Sequence, residues 1–186
     1  MANIGLNNFR YSILTEAADG TPSYAGAIKP AKAVSCTVTP TNNSAKLYAD
    51  DALAESDTSF SNASVSMGFD DADDTTMAAL LGHTVSEGEM VRNTDDVAPY
   101  VGIGRVLTKL VGGTYKYKVE ILYKVKFAEP SQENNTKGES VEFSTPTIEG
   151  TATALANGDW SKTKTFTSKT DAISYLESAF AAATTA

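Results

Sequence analysis

The chain has very few of the side chains on which most protein chemistry depends. Its 186 residues include one cysteine, one histidine and one tryptophan. With Cys36 alone, no internal disulfide can form, which fits folding in a reducing cytoplasm. A zinc site needs several Cys or His ligands, and only Cys36 and His83 are present. The composition therefore argues against a disulfide scaffold and a structural zinc site.

Positive charge is also scarce. The chain has 15 Lys and Arg against 23 Asp and Glu, a formal net charge of −8. General nucleic-acid binding depends on basic contacts to phosphates, so this class is disfavoured. No apolar run is long enough to span a bilayer, and we expect no membrane binding by this chain.

The charges are segregated along the sequence. Between Leu47 and Val91 there are ten acidic residues and no Lys or Arg, whereas between Arg105 and Lys126 there are six basic residues and one acidic residue. Such blocks form either two solvated faces or two surfaces that meet between neighbouring copies. The sequence leaves both interpretations open.

The sequence does not bring together the groups of an active site. His83 follows Gly82 at the end of a predicted helix, with no nucleophile partner in view. Cys36 alternates with polar residues, as a small core residue of a strand does. The aspartates of residues 70–74 lack the glycine and glutamate of a calcium loop and are better explained as helix caps. We expect no enzyme activity, catalytic residue, cofactor or metal; a small hydrolase is the weakest alternative.

Most of the chain alternates with a period of two residues, which predicts β-strands. The clearest strand is Tyr115–Phe127, and Gly112-Gly113 before it predicts a hairpin turn. Helices are predicted at Asp73–Gly82 and near the C-terminus, where Ile173, Leu176 and Phe180 form one stripe. The predicted core face of the clearest strand consists of Tyr117, Val119, Ile121, Tyr123 and Val125.

The segment Thr41–Ser59 is predicted to be a long polar loop, because Pro40 ends the preceding alternation. Loops of this length are usually functional. The predicted fold class is mainly β: a β-sandwich or partial barrel with one flanking helix, a long extended loop and a C-terminal helix. Residues 1–160 form the predicted β-sandwich domain, with the extended loop at 41–59, and residues 161–186 form a C-terminal extension with a short helix.

Several segments, in their order along the chain, resemble the major tail proteins of long-tailed bacteriophages (siphophage type), which form the tail tube. Neither of the two most informative segments, Thr136–Ala154 and Leu47–Glu55, carries catalytic chemistry. The matching segments are Ile4–Tyr11, Ser44–Asp51, Ala79–Thr84, Asp95–Gly102, Lys137–Gly150 and Gly158–Trp160. The residues after Trp160 match least well.

The resemblance implies the tail tube protein fold and a structural virion protein. Hexameric rings would stack into a tube that conducts DNA into the host, and an acidic lumen would not retain the phosphate backbone. The implied partners are other copies of the chain, the tape-measure protein and viral DNA in the lumen, and the tail-terminator and distal tail proteins at the tube ends. The implied location is the virion tail, assembled in the host cytoplasm.

The resemblance also implies that the loop bridges to neighbouring subunits. Two alternatives stay open: a related tube-forming or tail-terminator protein, and a β-sandwich that binds cell-surface glycans. The second would use exposed aromatic rings, for which Tyr24, Tyr48 and Trp160 are candidates. The candidate inter-subunit contacts are Leu47, Tyr48, Asp50, Asp51, Leu53 and Glu55.

Overall fold

A computed structural model describes residues 2–30, 33–49, 52–70, 73–131 and 146–181. In these ranges the chain is mainly β, as predicted. The strands are β1 (Ala2–Glu16), β2 (Pro22–Tyr24), β3 (Ala33–Ala49), β4 (Ala52–Phe69), β5 (Thr84–Ser86), β6 (Glu89–Val91), β7 (Val101–Val111), β8 (Thr114–Phe127), β9 (Thr147–Thr153) and β10 (Ser161–Phe166). The helices are α1 (Asp74–Leu81) and α2 (Lys169–Ala179).

One eight-stranded antiparallel sheet carries the fold. Its order is β2-β1-β7-β8-β9-β4-β3, with β10 also paired to β8, while β5 and β6 form a separate hairpin. Strand β8 is the branch point of the sheet. Along one edge, its residues Tyr117–Leu122 pair with β10 and its residues Lys124–Phe127 pair with β9. The sheet divides there, and the β9-β4-β3 part packs over the β1-β7-β8 part as a second layer.

The larger core lies between these two layers. It joins side chains from β1, β4, β7, β8 and β9 to three residues of α1. Arg105 on β7 also links the layers, because it donates to the Glu120 carboxylate on β8 and, at 2.5 Å, to the backbone oxygen of Cys36 on β3. The buried residues of this core are Phe9, Tyr11, Ala63, Val65, Met67, Phe69, Met77, Leu80, Leu81, Val101, Ile103, Leu122, Val125, Phe127, Ile148 and Ala152.

Helix α2 covers the other face of β7 and β8 and forms a second core. Leu176 and Phe180 are fully buried there, beside Val106, Val119 and Ile121. The helix approaches closely because β7 has glycine at positions 102 and 104; a Cβ at either position would collide with the ring of Phe180. The Gly-Ile-Gly sequence of β7 therefore leaves the space into which α2 packs.

Helix α2 and β10 belong to the main fold, which corrects the predicted boundary at residue 160. Strand β10 is hydrogen-bonded to β8 over its whole length, and α2 closes the second core. Residues 161–181 are therefore not an extension from a complete domain. Of the predicted stripe, Leu176 and Phe180 are buried and Ile173 is only partly covered.

The five predicted core residues of β8 are buried or partly buried, as predicted, but they do not all line the same core. Val119 and Ile121 lie under α2, but Val125 packs in the core between the layers. The register explains the change: Ile103 pairs with Leu122 and Val101 pairs with Val125, so β8 has one residue more than β7 in this interval. Such a bulge moves every later side chain to the opposite face.

Two other local predictions are confirmed, the turn between β7 and β8 and the caps of α1. Gly112 and Gly113 have φ angles of 57° and 78° and join β7 to β8, as a two-residue turn requires. Asp73 caps α1 by accepting from the Thr76 backbone N–H, and Gly82 ends it in the left-handed conformation. Within the described residues, no helix has the length and apolar character needed to cross a membrane.

Candidate functional site

The segment predicted as a long loop is a β-hairpin with two register shifts, at Thr41/Asn42 and Leu47/Tyr48, which corrects that prediction. Strands β3 and β4 remain paired from Thr41↔Asn62 to Ala49↔Ala52. Pro40 lies within β3 instead of ending it, since β3 is the last strand of the sheet and an edge strand tolerates a residue without an N–H. We call residues 41–62 the arm.

Within the part of the chain that the structure describes, the arm pairs only with itself. Strand β9 pairs with β4 from Ala63 to Gly68 and no further. Every side chain described in 41–46 and 55–59 is exposed, so both faces of the ribbon meet solvent. A two-stranded ribbon without a covered face is marginally stable at best in water. The arm therefore has the form of an element that gains by docking on another surface.

A stacked aromatic pair holds the base of the arm. The rings of Phe60 and Trp160 lie 4.4 Å apart with an interplanar angle of 12°. Trp160 is fixed in turn, because its backbone oxygen accepts a hydrogen bond from the backbone N–H of Tyr123 on β8. The arm thus leaves the sandwich from a rigid point. These two aromatics are a hundred positions apart, and no local pattern in the sequence signals their contact.

The hairpin brings four of the six predicted contact residues together near one end of the arm. In the backbone register, Leu47 lies opposite Glu55 and Tyr48 lies opposite Leu53. Glu55 is exposed. The remaining two candidates, Asp50 and Asp51, lie outside the described residues. The arm is polar and carries the exposed carboxylates of Glu55 and Asp57, whereas Lys46 opposite Ser56 is its one described cation.

The single histidine lies between two carboxylates. His83 Nδ1 is 2.7 Å from Asp96 Oδ2, and Nε2 lies against the carboxylate of Glu129 without a hydrogen bond of good geometry. A hydrogen bond from the Asn93 backbone N–H, and then the bond with His83, lowers the pKa of the Asp96 carboxyl. This cluster joins the end of α1 to the loop before β7 and the residues after β8.

The aromatic rings considered for glycan binding are mostly occupied inside the fold. Tyr24 is 8% exposed, stacks edge-on against Phe180 and donates its hydroxyl to the Tyr123 backbone oxygen. Burial raises the pKa of the Tyr24 hydroxyl. Trp160 is stacked on Phe60. Tyr24 is therefore not a free platform for a sugar, and one face of Trp160 is covered by Phe60, which disfavours glycan binding at these two rings. The side chain of Tyr48 lies outside the described residues.

Over the described residues, no three or more His, Cys, Asp and Glu side chains are grouped as a metal site would group them. The most distinctive surface is the arm. Comparisons with models of known protein families and with curated proteins found no match for the sequence.

Proposed function

We propose that the protein is a structural virion subunit that polymerises as stacked, hexameric rings into the tail tube of a long-tailed bacteriophage. The observation that carries the proposal is the arm, a two-stranded ribbon with both faces exposed and no partner in its own described chain. Ordering such a segment costs conformational entropy that its own contacts do not repay. Contact with another copy supplies the missing burial.

A projecting arm allows assembly into a filament. The arm of one copy and the body that receives it are different surfaces; when the receiving copy passes its own arm to a third copy and not back to the first, the contact is head-to-tail. Head-to-tail contacts give rings when the rotation closes and filaments when it does not. Stacked rings combine the two, which is the architecture that the resemblance to tail tube proteins implies.

The charge of the chain fits a conduit for DNA. At −8 per subunit, an assembled tube surrounds its lumen with acidic protein. Phosphates are repelled by such a surface and pass without being retained. The proposed partners follow from this role: further copies of the chain, the tape-measure protein and viral DNA inside the tube, and tail-terminator and distal tail proteins at its ends. No catalysis belongs to the proposal.

A related tail-terminator protein is the second candidate, because an arm that contacts a neighbour serves a single ring equally well. Negative-stain electron microscopy of the concentrated, purified protein separates the candidates. We expect tubes of uniform diameter with a stain-filled central channel. Single rings that never stack would favour the terminator, and monodisperse monomers at every concentration would contradict both candidates.

A further inference from the structure

The end of the β7–β8 hairpin has an unfavourable pair of charges on one face. Lys109 and Lys116 lie directly opposite each other in the register, and within the described residues neither makes an ion pair. Like charges in directly opposed positions destabilise a sheet. The next lysine on this face, Lys118, lies 4.0 Å from the carboxylate of Glu120. That carboxylate also accepts a hydrogen bond from Arg105, so its partners are Lys118 and Arg105 and not the two opposed lysines. We call residues 109–116 the β7–β8 tip.

The other face of the same tip is apolar and uncovered. Leu110 and Tyr115 form the neighbouring cross-strand pair, and they are 41% and 56% exposed. Neither belongs to the core beneath α2. One face of the tip therefore has lysines without neighbouring carboxylates, and the other has apolar side chains that nothing covers. Within the described residues of the monomer, neither face meets a complementary surface.

The arm carries the complementary charge. Glu55 and Asp57 are two residues apart on β4, so their side chains leave the same face of the ribbon. Both are exposed, and within the described chain neither has an ion-pair partner. The two carboxylates are about 7 Å apart along the strand and the two lysines about 5 Å apart across the hairpin. The long, flexible lysine side chain bridges this difference.

We propose that the Glu55 and Asp57 face of one copy's arm docks on the Lys109 and Lys116 face of the β7–β8 tip of a second copy. The inference rests on the proposed function and adds to it the surface that receives the arm. Charge complementarity selects the occupant: the arm carries two exposed carboxylates, and the tip carries two half-buried lysines without an ion-pair partner in the described chain. Every copy offers one of each surface, so the contact propagates from copy to copy when each arm docks on the next copy and not back on the copy that docks on it.

Reversal and exchange of charge provide the first test. The variant K109E/K116E should lose tubes while keeping its circular dichroism spectrum, because one like-charge pair replaces another. Adding E55K/D57K to it restores the net charge of −8 and should restore tubes. The matched control is K29E/K126E, which makes the same change in net charge at two exposed lysines outside the tip.

Cross-linking of the wild-type assembly provides the second test. A zero-length carbodiimide joins a lysine amine to a carboxylate only when the two are in contact. With tubes grown from mixed ¹⁴N and ¹⁵N subunits, mass spectrometry should find peptides of mixed label that join Lys109 or Lys116 to Glu55 or Asp57.

The outcomes separate this inference from the proposed function. If the wild type makes no tubes or rings, the proposed function is wrong and the docking contact falls with it. If the wild type makes tubes and K109E/K116E also makes them at the same protein concentration, only the docking contact is wrong. The same holds if the control fails as badly as K109E/K116E, because net charge alone would then explain the loss.

Discussion

Strand β8 is buried on both of its faces, and a pair of adjacent alanine substitutions tests this directly. Ile121 is 2% exposed under α2, and its neighbour Leu122 is 3% exposed between the two layers. A strand with a single core face would place one of these two side chains in solvent. The sandwich requires both Ile121→Ala and Leu122→Ala to be costly.

The expected magnitude follows from the carbons removed. Each substitution deletes three carbons, worth about 2.4 kcal/mol at about 0.8 kcal/mol for each buried carbon. If the surroundings close over roughly half of the deleted volume, the remaining cavity of about 40 Å³ adds about 1 kcal/mol. We therefore expect a loss of about 3–4 kcal/mol in the free energy of unfolding for each variant, within the usual range for buried aliphatic residues.

Urea unfolding followed by circular dichroism measures both losses as shifts of the midpoint at constant slope. Tyr115→Ala is the matched control, since Tyr115 is on the same strand and 56% exposed; its cost should stay below about 1 kcal/mol. A full loss for Ile121→Ala with less than about 1 kcal/mol for Leu122→Ala would show that no second layer packs on β8, and the two-layer fold would be refuted.

Two further predictions concern single contacts. Hydrogen bonds from Lys124 and from the Ala156 backbone N–H lower the pKa of Glu16 below its ordinary value of 4.5, so its contribution to stability is complete above that value and is lost as pH falls through the lowered pKa. In thermal unfolding across acidic pH, Glu16→Gln should flatten this loss, and an unchanged pH profile would contradict the assignment. Gly104→Ala should cost about 1–3 kcal/mol, because the added Cβ collides with Leu176 and Phe180. Gly5→Ala, whose Cβ meets only an amide nitrogen 4.0 Å away, should be neutral in the same urea titration, and equal costs would show that α2 does not rest on Gly104.

The parts of the fold that the sequence predicts are those with a local physical cause. The turn at Gly112-Gly113 is visible because two successive left-handed residues nearly require glycine. Helix α1 is visible through its caps, Asp73 and Gly82. The alternation of β8 predicts a strand, but the extra residue after Leu122 has no local signature, so the change of face could not be predicted.

The loop prediction for the arm fails for a physical reason. Alternation of polar and apolar residues arises when one face of a strand is buried, and neither described face of the arm is. Its sequence therefore looks like a loop, although its backbone is a paired ladder interrupted by two register shifts. Pro40 also favours the loop prediction, because proline normally ends a central strand. Here it is tolerated because β3 is an edge strand. The stacking of Phe60 on Trp160 and the opposition of Lys109 and Lys116 depend on pairing between segments, which a single sequence does not reveal.

The central claim is that the arm joins one copy to the next. Ser44 and Thr58 are directly opposite in the register, so residues 45–57 can be replaced by Asn-Gly as a two-residue hairpin turn. Shortening the connection costs little in closure entropy and removes no buried side chain among those described. The trimmed variant should therefore match the wild type in circular dichroism and in its unfolding midpoint.

Negative-stain microscopy of the two proteins at equal concentration is the most direct test. The wild type is expected to form tubes, and the folded, trimmed variant is expected to form none. A trimmed variant that fails to fold would show that the arm belongs to the core. A folded variant that forms normal tubes would contradict the account, because the arm would not be the element that joins the copies.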